Sequence, residues 1–128
     1  MIYLDTSVVL ARLFAEGRAP SDAIWSRRLV SSRLLEFEVF NRVQARGAGL
    51  SHGADARHLI DRVSLLELAA QVLGRALLPF PVPVRTLDAL HLATMDFLRS
   101  QGQVIELATY DRRLAAAAKA LGFALTDV

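Results

Sequence analysis

Four acidic residues stand at positions from which a carboxylate can do chemistry. Asp5 ends the apolar run "IYLD", and Asp111 directly follows the apolar segment "VIELATY". Asp88 lies among leucines in "RTLDALHLAT", and Glu38 lies in the apolar segment "LLEFEVFNR". Carboxylates that converge repel one another, because each negative charge disfavours ionisation of the next. A cation between them removes that conflict, so convergence of these acids would indicate a metal site.

A site that offers only oxygen ligands suits Mg²⁺ or Mn²⁺. Such an ion can bind phosphate oxygens, activate a water molecule and stabilise the leaving oxygen of an in-line displacement. The chemistry that these acids favour is therefore hydrolysis of a phosphodiester. No residue in the sequence stands out as a dedicated general base.

The elements that must position these acids are predicted to alternate between strands and helices. Strands are predicted at "IYLD", "RLVSS", "VSLLEL", "VIELAT" and "FALTDV". Helices are predicted around residues 8–16, from 33 to about 48, from about 54 to 63, at 69–78, from about 86 to 99 and at 111–122, with a short helix opening at 20–22. Thr6 or Ser7, Ser32 and Thr86 are the candidate N-caps.

This alternation indicates an α/β domain with a mainly parallel sheet. In that architecture functional residues lie at the carboxyl ends of the strands. Asp5 and Asp111 would then project from the same edge of the sheet. Asp88, at the start of a helix, could reach across that edge.

The composition indicates one domain over residues 1–128, since this length suffices for one hydrophobic core. The net charge of +2 is too small for a protein that coats a polyanion, although every basic residue except Lys119 is an arginine, which suits phosphate contact. The absence of cysteine excludes disulfides and thiolate catalysis and fits a reducing cytoplasm. Neither "MIYLDTSVVL" nor the proline-broken "LLPFPVPV" is suited to enter a membrane.

Four segments of the chain, "YLDTSVVL", "SSRLLEFEVFNRV", "RTLDALHLAT" and "TYDRRLAAAAKALGF", resemble in order the signature segments of PIN-domain proteins. They are most similar to the VapC group of bacterial toxin–antitoxin ribonucleases, and the resemblance covers essentially the whole chain. It implies a three-layer α/β/α fold and Mg²⁺- or Mn²⁺-dependent cleavage of RNA. It also implies a VapB-type antitoxin that blocks the site, and homodimerisation.

The resemblance further implies which residues bind the metal. The four family acids fall on Asp5, Glu38, Asp88 and Asp111, and the supporting hydroxyls fall on Ser7 and Thr109. The second acid is ambiguous, because Glu36 also lies in the matching segment. Two residues apart on a helix, Glu36 and Glu38 point about 200° apart and cannot both face one metal. Glu38 is preferred, because Ser32 precedes it at the offset usual for this segment in the family and Arg42 follows it one helical turn later.

Several of these residues also have a purely structural explanation. Asp5 could end a strand as a cap, Asp88 could complement a helix dipole, and Asp111 could be an ordinary N-cap. His91 forms an Asp-x-x-His pair with Asp88, yet its apolar neighbours and the oxygen preference of the metal favour a packed or hydrogen-bonded helix residue.

Other residues near these segments have weaker assignments. Arg85 and Arg112 could bind RNA phosphates or could form surface ion pairs. Asp96 is expected to be a solvated acid. Core packing is expected for three aromatic residues, which could otherwise line a groove for a partner: Trp25, Phe37 and Phe40.

Other functions fit the sequence less well. A phosphatase of the haloacid dehalogenase type needs a second acid two residues after Asp5, where Ser7 stands. A response-regulator receiver needs a lysine after a later strand, but the single lysine, Lys119, lies in the last helix. A dinucleotide-binding module would need a glycine-rich turn after the first strand. A catalytically silent PIN-like module that binds RNA or protein remains an alternative, and loss of an acid would be its mark.

Overall fold

Five short, apolar strands form one sheet in which every neighbouring pair is parallel. In the computed structural model, which describes residues 1–15, 17 and 20–128, their order is β3-β2-β1-β4-β5. Ile2 lies opposite both Leu29 and Glu106, so the first strand is the centre of the sheet. The strands are β1 (Ile2–Leu4), β2 (Leu29–Ser32), β3 (Ser64–Leu66), β4 (Glu106–Ala108) and β5 (Ala124–Leu125).

Helices cover both faces of this sheet. They are α1 (Thr6–Phe14), α2 (Leu34–Ala45), α3 (Gly49–Asp61), α4 (Ala70–Ala76), α5 (Thr86–Ser100) and α6 (Arg112–Ala120), with a 3-10 helix at Asp22–Ser26. Successive residues of a strand face opposite sides of a sheet. Accordingly Ile2 and Leu4 pack in a core with α1, α2 and α3, whereas Tyr3 packs in a second core with α5 and α6. The predicted three-layer α/β/α fold with a parallel sheet is confirmed.

Some predicted helix starts were wrong. Helix α1 is capped by Asp5, whose side chain accepts a hydrogen bond from the Ser7 N–H, and not by Thr6 or Ser7. Thr86 is the first residue of α5 and makes no capping bond. Helix α3 begins at Gly49, about five residues earlier than expected, because its packing against α2 outweighs the low helix propensity of its glycines. The predicted end of α1 at Glu16 lies outside the described residues.

Two expectations about side-chain environment were also wrong. Asp96 is not a freely solvated acid, because its carboxylate pairs with Arg75 and Arg99, each at 2.8 Å. Phe37 is 66% exposed, whereas Trp25 is buried and Phe40 packs against the core as expected. Within the described ranges, no helix is both long enough and apolar enough to cross a membrane.

Candidate active site

Asp5 lies where β1 ends and α1 begins, at the carboxyl edge of the sheet. Its Oδ2 atom accepts hydrogen bonds from the Ser7 N–H at 3.3 Å, the Ser7 hydroxyl at 2.6 Å and the Thr109 hydroxyl at 2.7 Å. Across the part of the chain that the structure describes, its Oδ1 atom has no hydrogen-bond donor. The buried carboxylate is thus held through one oxygen, and the other is left to bind something else.

The same hydroxyls tie the β4–α6 connection to the start of α1. The Tyr110 N–H donates to the Ser7 hydroxyl oxygen, and the Asp111 N–H donates to the Thr109 hydroxyl oxygen, both at 2.9 Å. Asp5 and Asp111 are therefore linked through Thr109. Ser7 and Thr109 both donate to the Asp5 carboxylate, and their role in supporting a metal site stays a prediction.

Glu38 lies in the middle of α2, and its carboxylate contacts Thr6, the residue that follows Asp5. Its Oε1 atom accepts hydrogen bonds from the Thr6 hydroxyl at 3.0 Å and from His91 Nε2 at 2.6 Å. Glu36 points elsewhere, since its carboxylate pairs with Arg57 at 2.6 Å and with Arg33 at 3.4 Å. The two glutamates therefore point in different directions, as the helix geometry predicts, and the choice of Glu38 as the second acid stays a prediction.

Asp88 lies in the first turn of α5 and is partly buried. Burial raises the pKa of this carboxyl, and the negative charges of Asp111 and Asp5 raise it further. The charges of His91 and Arg85 lower the pKa but do not compensate. Asp88 is therefore close enough to Asp111 and Asp5 to be repelled by both, and a cation beside it would relieve that repulsion.

Asp111 is the N-cap of α6. Its Oδ1 atom accepts hydrogen bonds from the backbone N–H groups of Arg113, at 2.9 Å, and Leu114, at 3.2 Å. The residue is exposed, in contrast to Asp5. Its structural role as a cap is real, but it occupies only one of the two carboxylate oxygens.

His91 is 1% exposed and uses both ring nitrogens inside the protein. Nδ1 lies 2.8 Å from the Tyr3 hydroxyl, and Nε2 lies 2.6 Å from Glu38. Burial lowers the pKa of His91, but the hydrogen bond to Glu38 and the charges of Glu38, Asp5 and Asp88 outweigh it and raise the pKa above its ordinary value. The prediction of a packed, hydrogen-bonded helix residue is confirmed.

Tyr3 was missed by the sequence reasoning. It is fully buried in β1, two residues before Asp5, and burial raises the pKa of its phenol, so the hydroxyl keeps its proton. Strand alternation could have placed Tyr3 on the face opposite Ile2 and Leu4. Its pairing with His91, 88 residues away, required the tertiary structure.

The two arginines predicted to bind phosphate lie in different grooves. Arg112 lines a groove of about 770 Å³ together with Thr109, Tyr110 and the C-terminal residues 125–128. Arg85 lines a more apolar groove of about 430 Å³ between α4 and α5. Neither arginine is ion-paired in the described structure, so both remain available to a polyanion.

The donor set fits a hard divalent cation. Among the residues that the structure describes, Asp5, Glu38 and Asp111 each have one oxygen held by a hydrogen bond and one without a donor, and all of these groups offer oxygen, as Mg²⁺ prefers. In residues 1–15, 17 and 20–128, no three acidic, imidazole or thiol side chains are arranged so that they could hold a metal by themselves. Mg²⁺ commonly takes only one or two carboxylates, with water and phosphate completing its shell.

The fold and this arrangement of acids define a class of protein. The family model described as "PIN domain" matches residues 2–120, and the chain therefore belongs to the PIN-domain family. Within it the chain is similar to proteins named ribonuclease VapC, as its four segments indicated.

Three relatives come from Mycobacterium tuberculosis. Ribonuclease VapC35 (strain CDC 1551 / Oshkosh) is 36% identical over 132 residues, which are 98% of this chain and 95% of that protein. Ribonuclease VapC47 of the same strain is 31% identical, over 96% of this chain and 93% of that protein. Ribonuclease VapC46 (strain ATCC 25618 / H37Rv) is 35% identical, over 97% and 95%.

Proposed function

We propose that this protein is a divalent-metal-dependent endoribonuclease, the toxin of a VapBC-type toxin–antitoxin system. The observation that carries the proposal is the convergence of acids at the carboxyl edge of the sheet. Asp5 and Glu38 are each fixed through one oxygen, and no described residue donates to the other oxygen of either. Beside them, Asp88 has a pKa raised by burial and by neighbouring carboxylates.

Asp5, Glu38 and Asp88 would hold Mg²⁺ or Mn²⁺, and Asp111 would contribute directly or through water. When bound, the metal supplies Lewis acidity toward a phosphodiester and the water that attacks it. Ser7 and Thr109 keep the Asp5 carboxylate in one orientation. Arg85 and Arg112 bind the flanking phosphates of the RNA, since guanidinium groups match phosphate oxygens.

The partners follow from the same proposal. The substrate is RNA, and a VapB-type antitoxin blocks the site in a complex with a homodimer of this chain in the cytoplasm. Large apolar side chains that remain exposed support protein contacts: Phe37, Leu50, Leu73, Leu77, Leu78, Leu87 and Val104. Light scattering of the purified chain would report two copies per particle, and a monomer at high concentration would contradict the homodimer.

The activity is tested by incubating the purified protein with total structured RNA and Mn²⁺ or Mg²⁺, against EDTA. We expect metal-dependent cleavage that falls at least about 100-fold in Asp5→Asn and Glu38→Gln, because each removes a charge from the metal site. Glu36→Gln is the matched control, since it alters the same helix on a face that pairs with Arg57. It should cleave like the wild type.

Two results would contradict this proposal. Cleavage that survives EDTA would exclude the metal mechanism. Absence of cleavage by antitoxin-free protein that still binds Mn²⁺ would favour the silent RNA- or protein-binding module instead.

A further inference from the structure

A continuous chain of hydrogen bonds runs from the buried core to the candidate metal site. It begins at the Tyr3 hydroxyl in β1, passes through both ring nitrogens of His91 in α5 and ends at Glu38 Oε1 in α2. The first two residues are fully or almost fully buried, whereas Glu38 is only partly buried. The chain thus links three elements, β1, α5 and α2, and ends on one carboxylate oxygen.

His91 is not placed to bind a metal itself. Both ring nitrogens are occupied, at 2.8 Å by Tyr3 and at 2.6 Å by Glu38. Because a carboxylate oxygen can only accept, Nε2 carries the proton that lies between His91 and Glu38. This holds whether Nδ1 accepts from the Tyr3 hydroxyl or donates to it, so the contact with Glu38 is the same in either state of the ring.

The donors to Glu38 all act on one oxygen. The Thr6 hydroxyl, at 3.0 Å, reaches the same Oε1 atom that His91 Nε2 contacts. A glutamate side chain loses substantial rotamer freedom when it is fixed, so a free Glu38 would have to be ordered whenever a ligand bound. A carboxylate that is already held through Oε1 presents Oε2 without that entropic cost.

We propose that His91, itself oriented by Tyr3, is a positioning residue that fixes the Glu38 carboxylate so that Oε2 faces the metal. This inference rests on the proposed function, because it assigns Glu38 to a metal. Partners that orient metal ligands from outside the coordination shell commonly affect metal affinity by 10- to 100-fold. His91 would orient the Glu38 carboxylate in this manner, and the Tyr3 hydroxyl would in turn orient the His91 ring.

The test is Mn²⁺ affinity, measured by calorimetry and by the loss of the free-ion electron paramagnetic resonance signal, without any RNA. His91→Leu removes the donor and should weaken Mn²⁺ binding by roughly 10- to 100-fold. His91→Gln places an amide N–H near the position of Nε2 and should recover most of that affinity. Leu98→Ala is the control, since it shortens a buried side chain two turns along the same helix without contacting Glu38.

A merely structural role would give a different pattern. His91→Leu and Leu98→Ala would then lower the melting temperature similarly while both kept wild-type Mn²⁺ affinity, and the proposal would be overturned. Should His91→Leu fail to fold, Tyr3→Phe replaces it, because it deletes only the hydroxyl that holds Nδ1. We expect its Mn²⁺ affinity to lie below the wild type, and an unchanged value would equally overturn the proposal.

Mn²⁺ binding and RNA cleavage by the wild type separate an error in the positioning role from an error in the metal site. If the wild type binds Mn²⁺ and cleaves RNA but the His91 and Tyr3 variants match it, only the positioning role is wrong. If the wild type binds no Mn²⁺, the metal site itself is wrong. Crystal structures of the metal-free wild type, His91→Gln and His91→Leu show whether Glu38 keeps its rotamer. An unchanged Glu38 rotamer in His91→Leu, which lacks the donor, would reject the positioning role.

Discussion

In the proposed site, Asp5 and Asp111 combine a structural role with a functional one, each through a different oxygen. Asp5 and Asp111 are both N-caps, yet each caps its helix through a single oxygen atom. The structural explanation of these residues is therefore correct without excluding the functional one. The capping oxygen of Asp5 also accepts hydrogen bonds from two hydroxyl groups, which leaves its other oxygen as the candidate metal ligand.

The Thr109 hydroxyl should contribute both to the stability of the fold and to Mn²⁺ affinity. Its hydroxyl donates to Asp5 and accepts from the Asp111 N–H, so Thr109→Val leaves that backbone donor without its acceptor and removes one donor from the Asp5 carboxylate. We expect the free energy of unfolding in urea to fall by about 1–3 kcal/mol. Mn²⁺ affinity should fall as well, because Asp5 loses one of its three donors.

Thr126→Val is the matched control for this change. The Thr126 hydroxyl oxygen is buried and has no hydrogen-bond partner among the described residues, so removing it should be neutral or stabilising. Equal destabilisation by Thr109→Val and Thr126→Val would mean that the hydrogen bonds of Thr109 do not matter.

Among the elements, α5 does the most to connect the site with the fold. Its first turns carry Asp88 and His91, and its last turns carry Asp96 and Arg99. Asp96 pairs with Arg75 of α4, so the ion pair joins two helices that pack closely against each other. Arg75 also lies over the Phe80 ring at 4.3 Å.

Loss of the ion pair between Asp96 and Arg75 should lower the free energy of unfolding in a pH-dependent way. Burial raises the pKa of Asp96, but hydrogen bonds from Arg75 and Arg99 outweigh it and hold the pKa below the ordinary value of 3.8. A depressed pKa stabilises the fold above the unfolded-state value, and that stability is lost as pH falls through the folded-state pKa. Asp96→Asn should therefore cost about 1–2 kcal/mol at neutral pH and progressively less in acid.

Urea unfolding of wild type and variant between neutral pH and about pH 3 would measure this difference. Asp61→Asn provides the comparison, because Asp61 lies 3.7 Å from Arg57 in an exposed pair that should contribute little. A difference between wild type and Asp96→Asn that stayed constant over this pH range would contradict the assignment.

In the molecule as a whole, the four acids come from distant parts of the chain. Asp5 follows β1, Glu38 belongs to α2, Asp88 to α5 and Asp111 to the start of α6. A site assembled in this way exists only in the folded state. Any ligand that needs all of these carboxylates therefore stabilises the fold as it binds. We retain the proposal that residues 1–128 act as one domain, since the site draws on both ends of the chain.

Metal addition should accordingly raise the melting temperature. At a concentration one hundred times its dissociation constant, Mn²⁺ would add about 2.7 kcal/mol to the free energy of unfolding. The increase should be lost in Glu38→Gln and retained in Glu36→Gln, because only Glu38 faces the site. Differential scanning calorimetry with and without EDTA makes the measurement. An equal increase in both variants would show that the metal binds elsewhere.

Much of this arrangement follows from sequence patterns that act locally. The alternation of apolar runs with helix-forming segments predicts the α/β class, because period and propensity are properties of neighbouring residues. The order of the four motifs predicts the family, and the spacing of Glu36 and Glu38 on one helix predicts that only one of them can face the site.

Other features depend on residues that are far apart in the chain and meet only after folding. The hydrogen bond from Thr109 to Asp5, the pairing of Asp96 with Arg75 and the link from Tyr3 through His91 to Glu38 depend on the distances and directions at which helices pack on the sheet. The sequence by itself determined which acids are present and which elements carry them. Only the tertiary structure decided which oxygen of each carboxylate the protein holds, because hydrogen bonds depend on positions to within fractions of an ångström.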